Sequence, residues 1–291
     1  MSLCVQMVPL YSGSSGNSIF LQFGRRRFLV DVGCSCKRIS EALHSIGQNP
    51  ADLDGVFITH HHTDHVQGLD VFTRKYGIPI YATEGSWRGI RFFEKKPHDA
   101  ALDRVVFPGE AVRMNEVRVD SFPTPHDAEG SVGYRFSTED YSMAVLTDLG
   151  YVSEEILACI KGCDAVLIEA NYNHEMLWNG PYPWHLKKRV DGRTGHLCNS
   201  DCGAVIRDLI AHGTKQFVLG HLSQENNSPR TAMREIEEYL QSYGLLREMD
   251  YQMEVASRYQ PSAAVLLYSD GQPVRGVQPE LVSLFAALGD A

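Results

Sequence analysis

No apolar run in this 291-residue chain approaches the ~20 residues that a membrane span requires, and no secretory signal is recognisable at its start. Low-complexity tracts and internal repeats are missing too, which excludes solenoids and linker-dominated architectures. Cysteine is scarce and odd in number, with seven at positions 4, 34, 36, 159, 163, 198 and 202. A disulfide framework is therefore not the organising principle, and a reduced, cytoplasmic setting is the expectation. Cys159/Cys163 and Cys198/Cys202 have helical i, i+4 spacing and read as small buried residues rather than a metal or redox pair. Net positive charge is also absent. At a formal −9 and pI near 5.7, the chain has no global attraction for nucleic acid or an anionic membrane. An anionic substrate is still open, because bound divalent cations would concentrate positive charge at one point; such binding has to be local.

What is present is an ordinary globular mixture, 43% hydrophobic and 22% charged, read as one domain over residues 1–291 with a short helical appendage from about residue 279. Its most informative stretch runs Thr59-His60-His61-His62-Thr63-Asp64-His65. The apolar, β-branched run Leu53 to Ile58 before it has the pattern of a buried strand, so the ligand-type residues leave a strand's carboxyl end and enter a loop, where open α/β sheets place their sites. A tight loop can turn His60 and His62 to one side and Asp64 and His65 to another, enough to serve two ions. Imidazole with carboxylate suits zinc, manganese or iron, and the lack of Cys argues against a closed structural zinc site. The plain alternative is a surface histidine cluster, but that needs neither Asp64 nor a preceding strand.

Further strands are expected over Val5 to Leu10, Ile19 to Phe23, Phe28 to Val32, Ile78 to Tyr81, Val105 to Phe107, Val117 to Phe122, Ser131 to Phe136, Ser142 to Leu146, Ala165 to Ile168, Gln216 to Leu219, Tyr251 to Val255 and Ala263 to Tyr268. Helices are expected over Ser35 to Gly47, Leu69 to Tyr76, Ser86 to Lys95, Glu154 to Ile160, Trp184 to Val190, Cys198 to Ala211 and Arg230 to Tyr243. Gly24 to Arg27 reads as a solvated hairpin turn. Ser12-Gly13-Ser14-Ser15-Gly16-Asn17-Ser18 reads as a tight loop whose backbone N–H groups and hydroxyls can also hold a phosphate. Asp31 closes an apolar strand and needs a partner, for which the histidine loop is the candidate. His126, Asp148 and His221 each stand just beyond a predicted strand, as His60 does.

The order His60-x-His62-x-Asp64-His65, His126, Asp148, His221 resembles the metallo-β-lactamase superfamily, with Asp31 at the position of its early structural aspartate. The resemblance spans residues 5 to 270 and implies a four-layered αββα sandwich with a dinuclear centre at one edge. His60, His62 and His126 would hold one divalent ion, Asp64, His65 and His221 the other, with Asp148 bridging. Aspartate rather than cysteine at 148 fits the hydrolase branches, and His62, where flavodiiron oxidoreductases carry glutamate, disfavours redox chemistry.

Ser12-Gly-Ser-Ser-Gly-Asn17, Glu169-Ala-Asn-Tyr-Asn-His174, Gly180 through Arg189, Gly195-His196-Leu197-Cys198-Asn199 and Gly220-His-Leu-Ser223 are similar to the bacterial YycJ/WalJ-type family of 5' to 3' DNA exonucleases. Cys198 departs from that pattern, which has serine there and leaves a hydroxyl contact in question. The implied activity is phosphodiester hydrolysis of DNA by a metal-bridging hydroxide, with Asp64 and Asp148 steering its proton and His196 as general acid, oriented by Glu169 or His174. Ser15, Asn17, Lys187, Lys188, Arg189 and His196 are the candidate substrate contacts. Two other readings compete: a metallo-hydrolase of a small thioester, lactone or cyclic phosphodiester, and a non-enzymatic, metal-stabilised nucleic-acid-binding protein.

Overall fold

In the computed structural model, which describes residues 5–93, 99–267 and 273–277, alternation along the strands decides the layering. The strands are β1 (Val5–Tyr11), β2 (Ser18–Phe23), β3 (Arg26–Val30), β4 (Gly55–Phe57), β5 (Ile80–Ala82), β6 (Asp103–Val105), β7 (Ala111–Met114) and β8 (Val117–Pro123). They continue with β9 (Val132–Ser137), β10 (Ser142–Leu146), β11 (Ala165–Glu169), β12 (Gln216–Gly220), β13 (Gln252–Val255), β14 (Ala264–Leu267) and β15 (Pro273–Val277). One sheet has eight strands in the order β15-β14-β1-β2-β3-β4-β5-β6, the other seven in the order β13-β12-β11-β10-β9-β8-β7.

Successive side chains of a strand point to opposite faces, and here both faces are buried. Ile19 and Leu21 of β2, with Met143 and Val145 of β10, pack between the sheets alongside Phe28, Phe57, Tyr134 and Phe136. Phe20, the residue between Ile19 and Leu21, faces the other way, onto α1 (Cys36–Ser45), α3 (Leu69–Tyr76) and α4 (Glu84–Phe93), with Leu29, Ile39, Leu43, Phe72 and Trp87. Ala144 and Leu146 likewise face α5 (Glu154–Ile160), α8 (Asn199–Ala211) and α9 (Pro229–Gln241), with Ile156, Ile206, Leu209 and Ile236. The result is helix on sheet on sheet on helix, the expected four-layered αββα sandwich.

The topology brings the loops of interest to one edge. β3 through β6 are mutually parallel, as are β10 through β13, and β8 runs in the same direction as β10 across the antiparallel β9. The two sheets are tied at that edge by Tyr134, whose hydroxyl donates to the Ile58 carbonyl at 2.8 Å, and by Val132 N–H donating to the Thr59 carbonyl at 3.0 Å.

Several local expectations need correction. Arg26 and Arg27 belong to β3 rather than to a solvated turn, because Arg26 meets Asp54 at 2.6 Å and Arg27 N–H donates to the same carboxylate. The strand placed over Val105 to Phe107 is β6 at Asp103–Val105, a short edge strand, and Phe107 is exposed. β7, β15 and the short α6 (His174–Asn179) were not anticipated. The helical appendage from about 279 lies outside the described residues.

Candidate metal centre

The histidine loop is held from below before any ligand is considered. Asp31, fully buried at the end of β3, accepts from Thr59 N–H and from Thr59 Oγ1, each at 2.8 Å, and from His65 Nδ1 at 2.7 Å. The bond expected between Asp31 and this loop is therefore present, and it leaves His65 presenting Nε2. Asp64 carbonyl accepts from Asn17 N–H at 2.8 Å, and Gly33 lies so close that a Cβ there would fall 1.7 Å from the same oxygen. Only glycine admits that approach. The loop then enters the one-turn helix α2 (Thr63–Val66), which carries Asp64 and His65.

Asp31, Asp148 and His221 share a second feature. Each stands just past a strand with left-handed backbone, φ 64°, 58° and 52°. Such conformations cost non-glycine residues on the order of 1–3 kcal/mol and persist where surroundings fix them. Asp31 is fixed by its three hydrogen bonds, and His221 N–H donates to Ser12 Oγ at 2.8 Å. The left-handed turn swings each side chain off its strand and over the sheet edge.

Ligand-type atoms converge there. His60, His62 and His126 form one group within 4.8 Å of one another, Asp64, His65 and His221 a second, and Asp148 joins His65 and His60 in a third that lies between them. His65 Nε2 is 3.2 Å from Asp148 Oδ2, and His221 Nε2 is 3.4 Å from Asp64 Oδ2 and 3.5 Å from Asp148 Oδ1. His126 Nε2 is 3.3 Å from His62 Nδ1, with its own Nδ1 donating to the Gly195 carbonyl at 3.1 Å. A fourth group joins Asp148 to Glu169, His196 and His221. There Glu169 Oε1 accepts from His196 Nδ1 at 2.8 Å and His221 Nδ1 at 2.9 Å, while Oε2 accepts from Leu149 and Leu197 N–H. A carboxylate so occupied serves its histidines better than it serves an ion.

These surroundings fit a cation. His60 Nε2 is buried with no hydrogen-bond partner, and Asp148 Oδ2 has no well-aligned donor despite the nearby His65. Burial pushes His60 well below its ordinary value, and burial with the neighbouring His126 brings His62 down to about 4, so both offer neutral imidazole lone pairs. On the other side burial also disfavours charge, but the carboxylates outweigh it: Asp148, Asp31 and Asp64 carry His65 well up, and Asp148, Asp64 and Glu169 carry His221 up to about 10. Burial acts to raise Asp64 and Asp148, yet the same imidazoles hold both well down and ionised. In the metal-free protein, protons on His65 and His221 thus balance a cluster of carboxylates, as a divalent ion would.

Other anticipated residues lie differently. Asn17 is buried at the centre, its Nδ2 3.1 Å from His65 Nε2 and 3.4 Å from Asp64 Oδ2, whereas Ser15 is exposed at the loop tip. His196 sits beside His126 and His221. His174 does not orient it: it opens α6, exposed, with Nε2 3.8 Å from Asp191. The basic run of α7 (Trp184–Val190) is not a row of free cations either. Lys187 donates to the Trp178 carbonyl at 2.7 Å and Arg189 to Asp127 at 2.6 Å; Lys188 lies over the Trp184 ring. Cys198 caps α8, with Sγ 3.1 Å from Ser200 Oγ. Asp127, which also lies 3.4 Å from His126 Nε2 and 3.8 Å from His62 Nε2, escaped the sequence reading, although its place next to His126 was a signal.

The family model described as the beta-lactamase superfamily domain matches residues 26–222. The chain is 39% identical over 221 residues to exodeoxyribonuclease WalJ of Streptococcus pneumoniae, covering 75% of this chain and 81% of that protein. To exodeoxyribonuclease YycJ of Bacillus anthracis it is 35% identical over 236 residues, covering 81% and 89%. Its fold is like that of the metallo-beta-lactamase fold protein YhfI from Bacillus subtilis, with a TM-score of 0.65 across 88% of this chain and 99% of that one at 16% identity. With a matched domain over residues 26–222 and relatives covered to 81% and 89% of their length, the chain belongs to the beta-lactamase superfamily and, within it, to the family of WalJ and YycJ.

Proposed function

We propose that this protein is a dinuclear phosphodiesterase that degrades DNA from its 5' end. Divalent metal use follows from the family and the His/Asp groups, and the enzyme class from the relatives. The observation that carries the finer reading is the convergence of five imidazoles and two carboxylates at one sheet edge, in a chain whose relatives are named exodeoxyribonucleases. His60, His62 and His126 would hold one ion, and Asp64, His65 and His221 the other, with Asp148 between them. Manganese or zinc suits this donor set, with iron the third candidate. When bound, such ions make a water nucleophilic at neutral pH and offset charge on the phosphate oxygens.

The chain's own residues supply the rest. Asp64 and Asp148, held ionised, would accept hydrogen bonds from the attacking water and steer its proton as it leaves. Glu169 fixes His196 through Nδ1, and although burial opposes it, the carboxylate raises the imidazole's pKa. The raised pKa favours the imidazolium, whose Nε2–H, partnered by no described residue, would protonate the leaving 3' oxygen as the P–O bond breaks. The product is a nucleoside 5'-phosphate, and the shortened strand again ends in a 5'-phosphate. Ser15, Asn17 and the α7 cations are the proposed phosphate contacts. Two further parts of the reading are a single domain, supported by β1 pairing with β14 from the far end of the chain, and a cytoplasmic setting, supported by six unpaired described cysteines.

The test uses metal-loaded protein on DNA labelled at either end, with Asp148→Ala as control. Mononucleotide label released early from 5'-labelled DNA only, and lost in the control, supports the reading. Turnover of a small ester or cyclic phosphate without DNA cleavage overturns the DNA assignment.

A further inference from the structure

Arg258 lies against the glycine loop that leads to the metal centre. Its Nη2 donates to the Leu222 carbonyl at 2.5 Å and its Nη1 to Ser14 Oγ at 3.4 Å. A Cβ on Gly13 would fall 2.9 Å from Nη1, so glycine at 13, where φ is 143°, leaves the guanidinium its room. The segment that carries Arg258 is pinned. Ala256 N–H donates to the Leu219 carbonyl at 2.8 Å, Ser257 N–H to Ser262 Oγ at 2.8 Å, and Ser262 N–H to the Pro9 carbonyl at 2.9 Å. Among the described residues, the rest of the guanidinium's five N–H donors have no partner and no carboxylate pairs with it.

Backbone donors stand beside it. Ser14 and Ser15 are exposed at the loop tip, and their N–H groups have no partner among the described residues either. Asn17 closes the loop onto the centre, its Oδ1 accepting from Gly13 N–H at 2.8 Å and its Nδ2 facing His65 and Asp64. Arg258 and Arg189 reach the centre from its two ends. Arg189 does so through Asp127, where His62 and His126 stand, whereas Arg258 bonds the residue after His221. Arg189 is already paired with a carboxylate and Arg258 is not. On a chain of net charge −9, an unpaired arginine next to free backbone donors is a place for one phosphate, which a guanidinium can hold through two parallel N–H bonds.

We infer that Arg258, with the tip at Ser14 and Ser15, binds a phosphate of the substrate strand other than the one that is cut, and so anchors the strand at the His221 end of the centre. Its bond is to the carbonyl next to a ligand residue, not to a ligand atom, which sets it outside the reacting group. The inference rests on the proposed nuclease activity and adds a substrate-binding residue from far along the chain.

Binding of metal-loaded protein to duplex DNA, made resistant to cleavage by phosphorothioate linkages, tests this by fluorescence anisotropy across a salt series. Wild type, Arg258→Gln and Arg258→Lys are compared, with thermal melts and metal content to verify the centre. In Arg258→Gln the affinity is expected to fall about tenfold, and the slope of log affinity against log salt to become shallower by about 0.9, as for the loss of one phosphate contact. Arg258→Lys keeps the charge and should keep the slope. Strands with and without a 5'-phosphate locate the group: a loss confined to phosphorylated ends makes it the terminal phosphate, and equal losses make it an internal one. Unchanged affinity in Arg258→Gln overturns the inference. So does weaker binding in both variants at the wild-type slope, which would leave Arg258 as a staple between Leu222 and Ser14. Either result leaves the nuclease reading intact so long as the wild type degrades unmodified duplex in parallel. If the wild type turns over a small phosphodiester but neither binds nor cleaves DNA, the nuclease reading fails and this inference with it.

Discussion

Replacing Glu169 by glutamine changes one oxygen for an NH2 group and leaves the shape of the side chain alone, which makes Glu169→Gln a sharp test of how the centre is held. In the native arrangement one carboxylate oxygen accepts from His196 and His221 at 2.8 and 2.9 Å, and the other accepts from Leu149 and Leu197 N–H at 3.1 and 3.3 Å. Glutamine can keep only half of this. With its NH2 toward the two backbone donors, both would be left unsatisfied at ~1–3 kcal/mol each. The opposite orientation is favoured: the amide oxygen keeps the backbone pair and the NH2 donates to the two Nδ1 atoms. Both imidazoles must then carry their proton on Nε2. In His221 that is the nitrogen facing Asp64 and Asp148, so its lone pair is lost to the metal. Loss of such an orienting partner typically weakens metal binding 10–100-fold, ~1.4–2.8 kcal/mol. Chelator-competition titration of metal-free wild type and variant reads this directly, with circular dichroism to verify folding. Wild-type affinity in the folded variant would refute the claim that Glu169 sets the tautomer of His221.

Three further outcomes follow from the same geometry. In the metal-free protein His65 lies well above neutrality and His221 near 10, so ion binding at pH 7 must expel protons and affinity must rise with pH; calorimetry in buffers of different ionisation heat should show proton release, and none would contradict the coupling. Gly33→Ala forces a methyl into the Asp64 carbonyl and should cost at least ~1–3 kcal/mol, or roughly 2 °C or more of melting temperature, with weaker metal binding; an unaltered thermal melt would show that the loop is free to move. His196→Ala should lower kcat about 10²–10⁴-fold on DNA, whose leaving group needs a proton, but far less on a p-nitrophenyl diester, whose leaving group does not; equal losses would remove His196 as the acid.

Much of the site was legible in the sequence because strand ends are legible. Val56 and Phe57, Val145 and Leu146, and Leu219 are apolar residues that bury on contact with a layer, so the polar residue that follows each run is delivered to the edge. What the chain could not show were pairings between distant segments. Arg26 finds Asp54 and Arg189 finds Asp127, so cations that read as solvated turn or free patch are already engaged. His174 stands near Glu169 in the sequence, but four residues of loop carry it to an exposed helix start. Short edge strands such as β7, whose side chains are only half-buried, have too little alternation to announce themselves.

The central claim is that these seven side chains form one dinuclear centre that hydrolyses DNA, and a metal titration of activity tests it most directly. Metal-free protein is loaded stepwise with Mn²⁺ or Zn²⁺ while 5'-labelled DNA is turned over. Activity that saturates at two equivalents in the wild type and is abolished in Asp148→Ala is the predicted result. Full activity at one equivalent, or turnover that survives both exhaustive chelation and Asp148→Ala, would contradict it.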